Sequence, residues 1–240
     1  MDWLELKKSG KSVFIHGDCM EYMKTMPEKF AELAIVDPPY GIKADQVQNK
    51  ISKSGRISNG GGWKLYKETS WDDNPPDKNY FERLYFISKN QIIWGCNYFE
   101  NIKPSSCWII WDKIQRDNRS DAEMAWTSFK KPLKVFRYSR IDSYVNDCDI
   151  KIHPTQKPVA LYRWILHNYA KPGDLIIDTH VGSASSLIAC EQMGFQYIGF
   201  EIDKDYYDAA EKRINQARKK LNQNEIFKRE EIEVKQESLF

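Results

Sequence analysis

Two groups of residues in this 240-residue chain have types and spacing suited to chemistry. The first is Asp37-Pro38-Pro39-Tyr40, directly after the apolar run Leu33-Ala34-Ile35-Val36. That run, short and partly β-branched, predicts a buried strand. The two prolines lack N–H groups and fix φ, so the strand must stop there. It leaves a carboxylate, free carbonyls and an aromatic ring at its C-terminal end. In open α/β sheets ligands bind beyond the carboxyl ends of the strands. Asp37 and the Pro38 carbonyl would accept hydrogen bonds from a planar, amine-bearing group, and Tyr40 would offer a stacking face. An Asp-Pro pair is also an ordinary turn signal, with Asp37 capping the loop, and both readings stand at this point.

The second group begins with the apolar strand Leu175-Ile176-Ile177-Asp178 and continues through Thr179-His180-Val181-Gly182-Ser183-Ala184-Ser185-Ser186. A helix through Met193 and a strand Gln196–Phe200 ending at Glu201 complete a βαβ unit. Small residues in the turn let backbone approach a ligand. An acid at the end of the second strand, 23 positions beyond Asp178, suits ribose hydroxyls. The alternative is a plain βα turn with Glu201 paired to a surface lysine.

The elements that must position these groups read as α/β throughout. Val13–His16 is a short strand leading through Gly17-Asp18-Cys19 into a helical stretch, Met20–Met26. Asp18 is either a helix N-cap or a ligand-facing acid at the same sheet edge as Asp37. A helix is expected over Pro75–Lys89, strands over Gln91–Trp94 and Cys107–Trp111, and a strand or hairpin arm over Pro132–Tyr138. His153-Pro-Thr-Gln-Lys-Pro158 is a stiff polar turn before a helix, Val159–Tyr169. Asp203 should cap a long helix running to Leu221. This divides the chain into residues 1–112, the N-terminal part of one domain, a small insertion at 113–152, a second part of the same domain at 153–221 and a charged tail at 222–240.

The net charge of +2 is unevenly spread. Lys43 to Lys67 holds six basic residues and one acid, and Lys113 to Arg140 holds eight against three. Two basic segments on an otherwise acidic body suit a polyanion, although each run by itself reads equally as a solvated loop. Residues 41–70 are rich in Gly, Ser, Asn and Lys, with Trp63, Tyr66 and Trp71 as stacking rings at its end; a flap ordering on substrate is expected. Trp126, Phe129, Phe136 and Tyr138 interleave the second basic run. No apolar run is long enough to span a membrane and no apolar leader core is visible. The five cysteines (Cys19, Cys96, Cys107, Cys148, Cys190) are scattered, which suggests neither a zinc site nor a disulfide framework and points to a reducing, cytoplasmic compartment.

Asp37-Pro-Pro-Tyr40, His153-Pro-Thr-Gln-Lys-Pro158 and Asp178-Thr-His-Val-Gly-Ser-Ala-Ser185, in that order, resemble the circularly permuted beta group of amino DNA methyltransferases. The resemblance spans about residues 12 to 215. It implies a mostly parallel, seven-stranded Rossmann-like sheet with helices on both faces, plus a small DNA-recognition insertion. It also implies S-adenosylmethionine as cofactor and double-stranded DNA as partner, with a homodimer and a cognate restriction endonuclease as further partners known for such enzymes. By the same resemblance Asp37, Pro38, Pro39 and Tyr40 form the catalytic set. Asp178, Gly182 and Ser183 would line the methionine part of the cofactor, with Lys157 near it; Glu201 would hold the ribose and Asp18 the adenine, and Ser185 would also bind the cofactor. The family's cofactor turn usually reads Asp-Pro-Phe-x-Gly-Ser-Gly-Thr-Thr. Here Thr179 and His180 replace Pro-Phe, and Ala184 replaces the second glycine, which requires ordinary φ and sets a methyl group beside the cofactor path. His180 is read as a packed substitute for the phenylalanine. The expected activity is methyl transfer to adenine N6 in a flipped-out base. Cytosine N4 transfer is the alternative, and a non-catalytic nucleic-acid-binding module the competing class.

Overall fold

The computed structural model describes residues 1–43, 72–100, 102–114, 120–139 and 151–237. The basic loop around Lys50 to Lys67, its aromatic residues, and Cys148 lie outside these residues. In chain order the elements are α1 (Trp3–Ser9), β1 (Val13–His16), α2 (Cys19–Met23), β2 (Ala31–Val36), α3 (Lys78–Ile87), β3 (Ser88–Trp94), a 3-10 turn (Cys96–Tyr98), β4 (Trp108–Asp112), β5 (Ala122–Thr127), β6 (Lys134–Arg137), α4 (Val159–Tyr169), β7 (Leu175–Asp178), α5 (Ser185–Met193), β8 (Gln196–Glu201) and α6 (Lys204–Glu237).

The strands form one sheet in the order β1-β8-β7-β2-β3-β5-β4-β6. The sheet thus has eight strands among the described residues, one more than the resemblance implies. β5 runs antiparallel to both of its neighbours, β3 and β4, while the other adjacent pairs are parallel. Central strands are covered on both faces, which is why they read as continuous apolar runs. Along β2, Leu33 and Ile35 pack into one core with α4, α5 and α6, while Ala34 and Val36 pack into a second with α1, α2 and α3. Burying each large side chain contributes about 1.5–3 kcal/mol, so β2 is fixed in register from both sides.

Helix ends follow side-chain capping. Asp77 accepts from Tyr80 N to start α3, and Asp203 accepts from Asp205 N and Tyr206 N to start α6. Residues 222–237, expected as a tail, continue α6. Within the segment 113–152, read as an insertion, β5 and β6 are strands of the central sheet, with Ala125 and Trp126 buried. Residues 115–119 and 140–150 of that segment lie outside the described ones. Among the described residues no helix is long and apolar enough to cross a membrane.

Candidate active site

Asp37 leaves the end of β2 at the carboxyl edge of the sheet, as its position after Val36 requires. Tyr40 turns back onto it, its hydroxyl donating to Asp37 Oδ1 at 2.5 Å. Burial, with the Asp37 charge adding to it, lifts the Tyr40 phenol well above its ordinary pKa, so the group remains an O–H donor. The turn after Tyr40 is clamped by the buried Asp72, whose Oδ1 accepts from Tyr40 N at 2.6 Å and Gly41 N at 2.9 Å. Gly95, at φ +67°, leaves room for the Tyr40 ring: a Cβ there would lie 2.0 Å from Tyr40 Cε1. The exposed ring of Tyr98 stacks on Tyr40 with centroids 5.1 Å apart at 13°.

The other Asp37 oxygen belongs to Lys157. Its ammonium donates to Asp37 Oδ2 at 2.5 Å and reaches Glu123 Oε2 at 3.1 Å and the Tyr40 hydroxyl at 3.3 Å. The Lys157 side chain is 1% exposed. Burial opposes its charge, but Asp37 and Glu123 outweigh burial and hold the ammonium protonated. For Asp37 burial is the largest influence and raises the carboxyl, with Lys157 opposing. Glu123 goes the other way: despite burial, Lys157 and Lys113 bring it down to about 2. Lys113 Nζ lies 2.7 Å from Glu123 Oε1, and its side chain is 6% exposed.

Next to this corner lies a cavity of about 930 Å³, with Asp37 and Pro39 on one wall and Gly182, Ser183, Ser185 and Glu201 on the other. Glu201 Oε2 accepts from Gly182 N at 2.8 Å and Oε1 accepts from Asp203 N at 2.9 Å. Arg213 reaches from α6 to the carbonyl of Ser183 and to Ser185 Oγ, holding the turn from behind. His153 and His180 also line the cavity. Burial depresses them to about 3 and about 4, so both are neutral at pH 7. His180 Nδ1 lies 2.9 Å from Thr179 Oγ1, which in turn is 2.6 Å from the Tyr80 hydroxyl, and the His180 ring meets Tyr80 edge to face.

Several expected placements change. Asp178 does not line the cavity; it is buried behind the turn, accepting from His180 N at 3.0 Å and from the Ser186 hydroxyl. Asp18 also lies outside the lining and N-caps α2, accepting from Met20 N at 2.8 Å. Lys157 lines the cavity, but its ammonium is committed to Asp37 and Glu123. Ala184 does not keep ordinary φ: it sits at φ +63°, the left-handed region, and its methyl packs into the core instead of the cavity. Lys113, Glu123, Asp72, Gly95 and Arg213 were not expected in the site. Glu123 and Lys113 carry no local motif, whereas Asp72 in Trp71-Asp-Asp-Asn-Pro-Pro76 has the Asx-turn composition that could have marked it.

A mostly parallel α/β sheet with an acid–proline–proline–tyrosine corner and a small-residue turn opening on one cavity has the architecture of a nucleotide-cofactor-dependent methyltransferase. The DNA methylase family of N6 and N4 enzymes matches residues 58–212, and the chain belongs to this family. The match begins downstream of Asp37-Pro-Pro-Tyr40. Over 260 residues the chain is 24% identical to the type II methyltransferase M.HinfI of Haemophilus influenzae, covering 90% of this chain and 72% of that one. Over 244 residues it is 23% identical to the DNA adenine methyltransferase YhdJ of Escherichia coli, covering 85% and 82%. Among solved structures, the M1.HpyAVI–SAM complex matches with a TM-score of 0.51 at 20% identity, over 83% of this chain and 98% of that one. The cytosine-N4-specific PvuII DNA methyltransferase matches with a TM-score of 0.51 at 13% identity, over 87% and 92%. These two likenesses concern the fold.

Proposed function

We propose that this DNA methylase transfers a methyl group from S-adenosylmethionine to the N6 amino group of adenine at a specific site in double-stranded DNA. The observation that carries the reading is the Asp37 carboxylate, gripped by Tyr40 and Lys157 on the wall of the cavity that Glu201 closes. The likeness to a relative named for adenine favours adenine over cytosine.

The residues fit the cofactor. Each Glu201 oxygen takes one backbone N–H and keeps a lone pair for a ribose hydroxyl. Gly182, at φ +53°, presents no side chain to the cavity. The lining carries three acids, Asp37, Glu201 and Asp203, against one lysine, Lys157, and its two histidines are neutral, which suits a cationic ligand. When bound, the cofactor supplies an already activated methyl group on a sulfonium. Of the residues first assigned to it, Gly182, Ser183, Ser185 and Glu201 would contact it directly, while Asp178 would shape the turn.

Adenine's exocyclic nitrogen is a weak nucleophile because its lone pair is delocalised into the ring. Asp37 Oδ1 accepts one hydrogen bond from Tyr40 and retains capacity for a second, from the target amine. The Pro38 carbonyl would take the other N–H. Two acceptors favour a tetrahedral nitrogen and offset the positive charge that develops there, so the corner acts by alignment and electrostatics. Burial raises the Cys19 thiol to about 12 and the Cys96 thiol to about 11, so neither supplies a thiolate. Extruding the base costs a few kcal/mol, offset in part by stacking on the Tyr40–Tyr98 pair at about 1–3 kcal/mol per base. DNA contact falls to the basic segments Lys43–Lys67 and Lys113–Arg140. The likeness to a type II enzyme supports a cognate endonuclease; a cytoplasmic setting is proposed on the scattered cysteines and a homodimer on the resemblance.

Digested DNA analysed by mass spectrometry after incubation with labelled cofactor should contain N6-methyladenine. Detection of N4-methylcytosine by itself would overturn the choice of base. Asp37→Ala should abolish transfer while calorimetry with S-adenosylmethionine stays close to wild type, and substantial remaining activity would refute the role of Asp37.

A further inference from the structure

Among the described residues β5 is the strand that runs against the sheet. Parallel strands end at the active edge, whereas an antiparallel strand begins there. Glu123, the second residue of β5, is thereby delivered to the edge where β2 ends in Asp37. Lys113 directly follows β4 and arrives at the same edge. Lys157 stands between the two carboxylates, giving an alternating row: Lys113 to Glu123 at 2.7 Å, Glu123 to Lys157 at 3.1 Å, Lys157 to Asp37 at 2.5 Å. Glu123 uses a different oxygen for each lysine. The three ammonium protons of Lys157 face three oxygens, on Asp37, Glu123 and Tyr40.

We propose that Glu123 is a positioning residue for methyl transfer: it holds Lys157 on Asp37 Oδ2 and balances its charge, leaving Oδ1 as a negatively charged acceptor for the target amine. The inference rests on the reading of Asp37 as that acceptor. A lysine beside Asp37 suffices to bury the carboxylate, so stability by itself does not call for a second acid. With Glu123 gone, the whole charge of Lys157 falls on Asp37, and the ammonium is free to swing between its oxygens. The acceptor is then neutralised just where positive charge develops, and at a largely buried corner electrostatics are screened less than in water. The other titratable groups acting on Asp37 are the Tyr40 and Tyr162 phenols, both held protonated, and Asp178, which is buried behind the cofactor turn. Lys113 offsets the burial of Glu123 itself.

Glu123→Gln keeps the shape and removes the charge. Its kcat for transfer to DNA should fall by about 30-fold or more, in the range found when one member of a desolvated charge pair is removed, with the cofactor Kd unchanged. The acid limb of the kcat–pH profile should move to lower pH, because the Glu123 charge raises Asp37. Glu123→Asp should restore part of the rate. The double variant Lys113→Met/Glu123→Gln, which removes one charge of each sign, should recover melting temperature without recovering kcat. Independently of turnover, modification of Lys157 by an amine-reactive anhydride, read by peptide mass spectrometry, should rise several-fold in Glu123→Gln. An unchanged rate and acid limb would overturn the proposal. So would a rate loss that tracks melting temperature and is recovered in the double variant. If the wild type methylates neither adenine nor cytosine, the reading of Asp37 falls, while unchanged Lys157 labelling would still refute the hold of Glu123.

Discussion

Replacing Gly95 with alanine should separate methyl transfer from cofactor binding. The added Cβ would lie 2.0 Å from Cε1, 2.4 Å from Cζ and 2.5 Å from Cδ1 of Tyr40. Non-bonded carbons settle about 3.5–4.0 Å apart, so the ring must retreat by roughly 1.5 Å. The backbone cannot easily yield instead, because Gly95 N donates to Met124 O at 3.1 Å and Gly95 O accepts from Tyr98 N at 2.9 Å. The Tyr40 hydroxyl rides on Cζ, and its 2.5 Å bond to Asp37 would open beyond hydrogen-bond range. At φ +67° the alanine also carries a left-handed penalty of about 1 kcal/mol. Misplacing a catalytic group by about 1 Å costs on the order of 100-fold, so kcat should fall by at least that factor. Neither Gly95 nor Tyr40 lines the cavity closed by Glu201, and cofactor affinity should hold. Single-turnover transfer with labelled cofactor, beside calorimetry and a melting curve, reads both quantities. A folded variant whose rate stays within about tenfold of wild type would refute the argument.

Gly199→Ala makes the complementary case: its Cβ would press 2.7 Å from Leu187 Cδ1 and 2.8 Å from Val181 Cγ2, and Val181 belongs to the cofactor turn. Overpacking there costs about 1–3 kcal/mol, so calorimetry should show cofactor affinity about tenfold weaker, with transfer restored at saturating cofactor; unaltered affinity would count against the turn. Asp178→Asn tests the buried acid. Burial raises Asp178 from 3.8 to about 7, so it contributes stability below pH 3.8 that is lost as pH rises through 7, on the order of 4 kcal/mol in total. From pH 5 to pH 8 the urea midpoint should therefore shift further upward, or less far downward, in Asp178→Asn than in the wild type. His153 and His180, depressed by burial, give stability of the opposite sense, present above pH 6.5 and lost on acidification, but this cancels in the difference between the two proteins. An identical signed shift of the midpoint in the two proteins would show that Asp178 is not protonated at pH 5.

The chemistry at strand ends was legible because it is local. Val36 must stop before two prolines, and Asp178 and Glu201 close apolar runs, so their place at the edge follows from the strands themselves. The strand β5 was not legible. Ala122-Glu-Met-Ala-Trp-Thr127 has four apolar residues of six without clean alternation, and its flanking charges read as a nucleic-acid surface. Pairing with β3 and β4 decides its conformation, and no neighbouring residue announces that. Glu123 is drawn to a lysine 34 positions away, a relation only the folded sheet creates. Ala184 misled for a different reason: φ > 0 is ordinarily signalled by glycine, and here the turn imposes it on an alanine, whose buried methyl packs in the core. The short α1 has barely two turns, too few for a periodic signal. It is held instead by Trp3 Nε1 on Thr25 and by the Lys7–Glu32 ion pair.

The pairing of β1 with β8 bears on how the protein comes to exist in a cell. Val13–His16 lies in register with Ile198–Glu201, so the sheet is not complete until nearly all of the described strands have been synthesised. Such long-range parallel pairing is slow and comes late in folding. Glu201, which closes the cavity, belongs to that last strand. A nascent chain that already displays Asp37-Pro-Pro-Tyr40 still lacks the wall proposed to hold the methyl donor, so incomplete products of translation are expected to stay silent toward DNA.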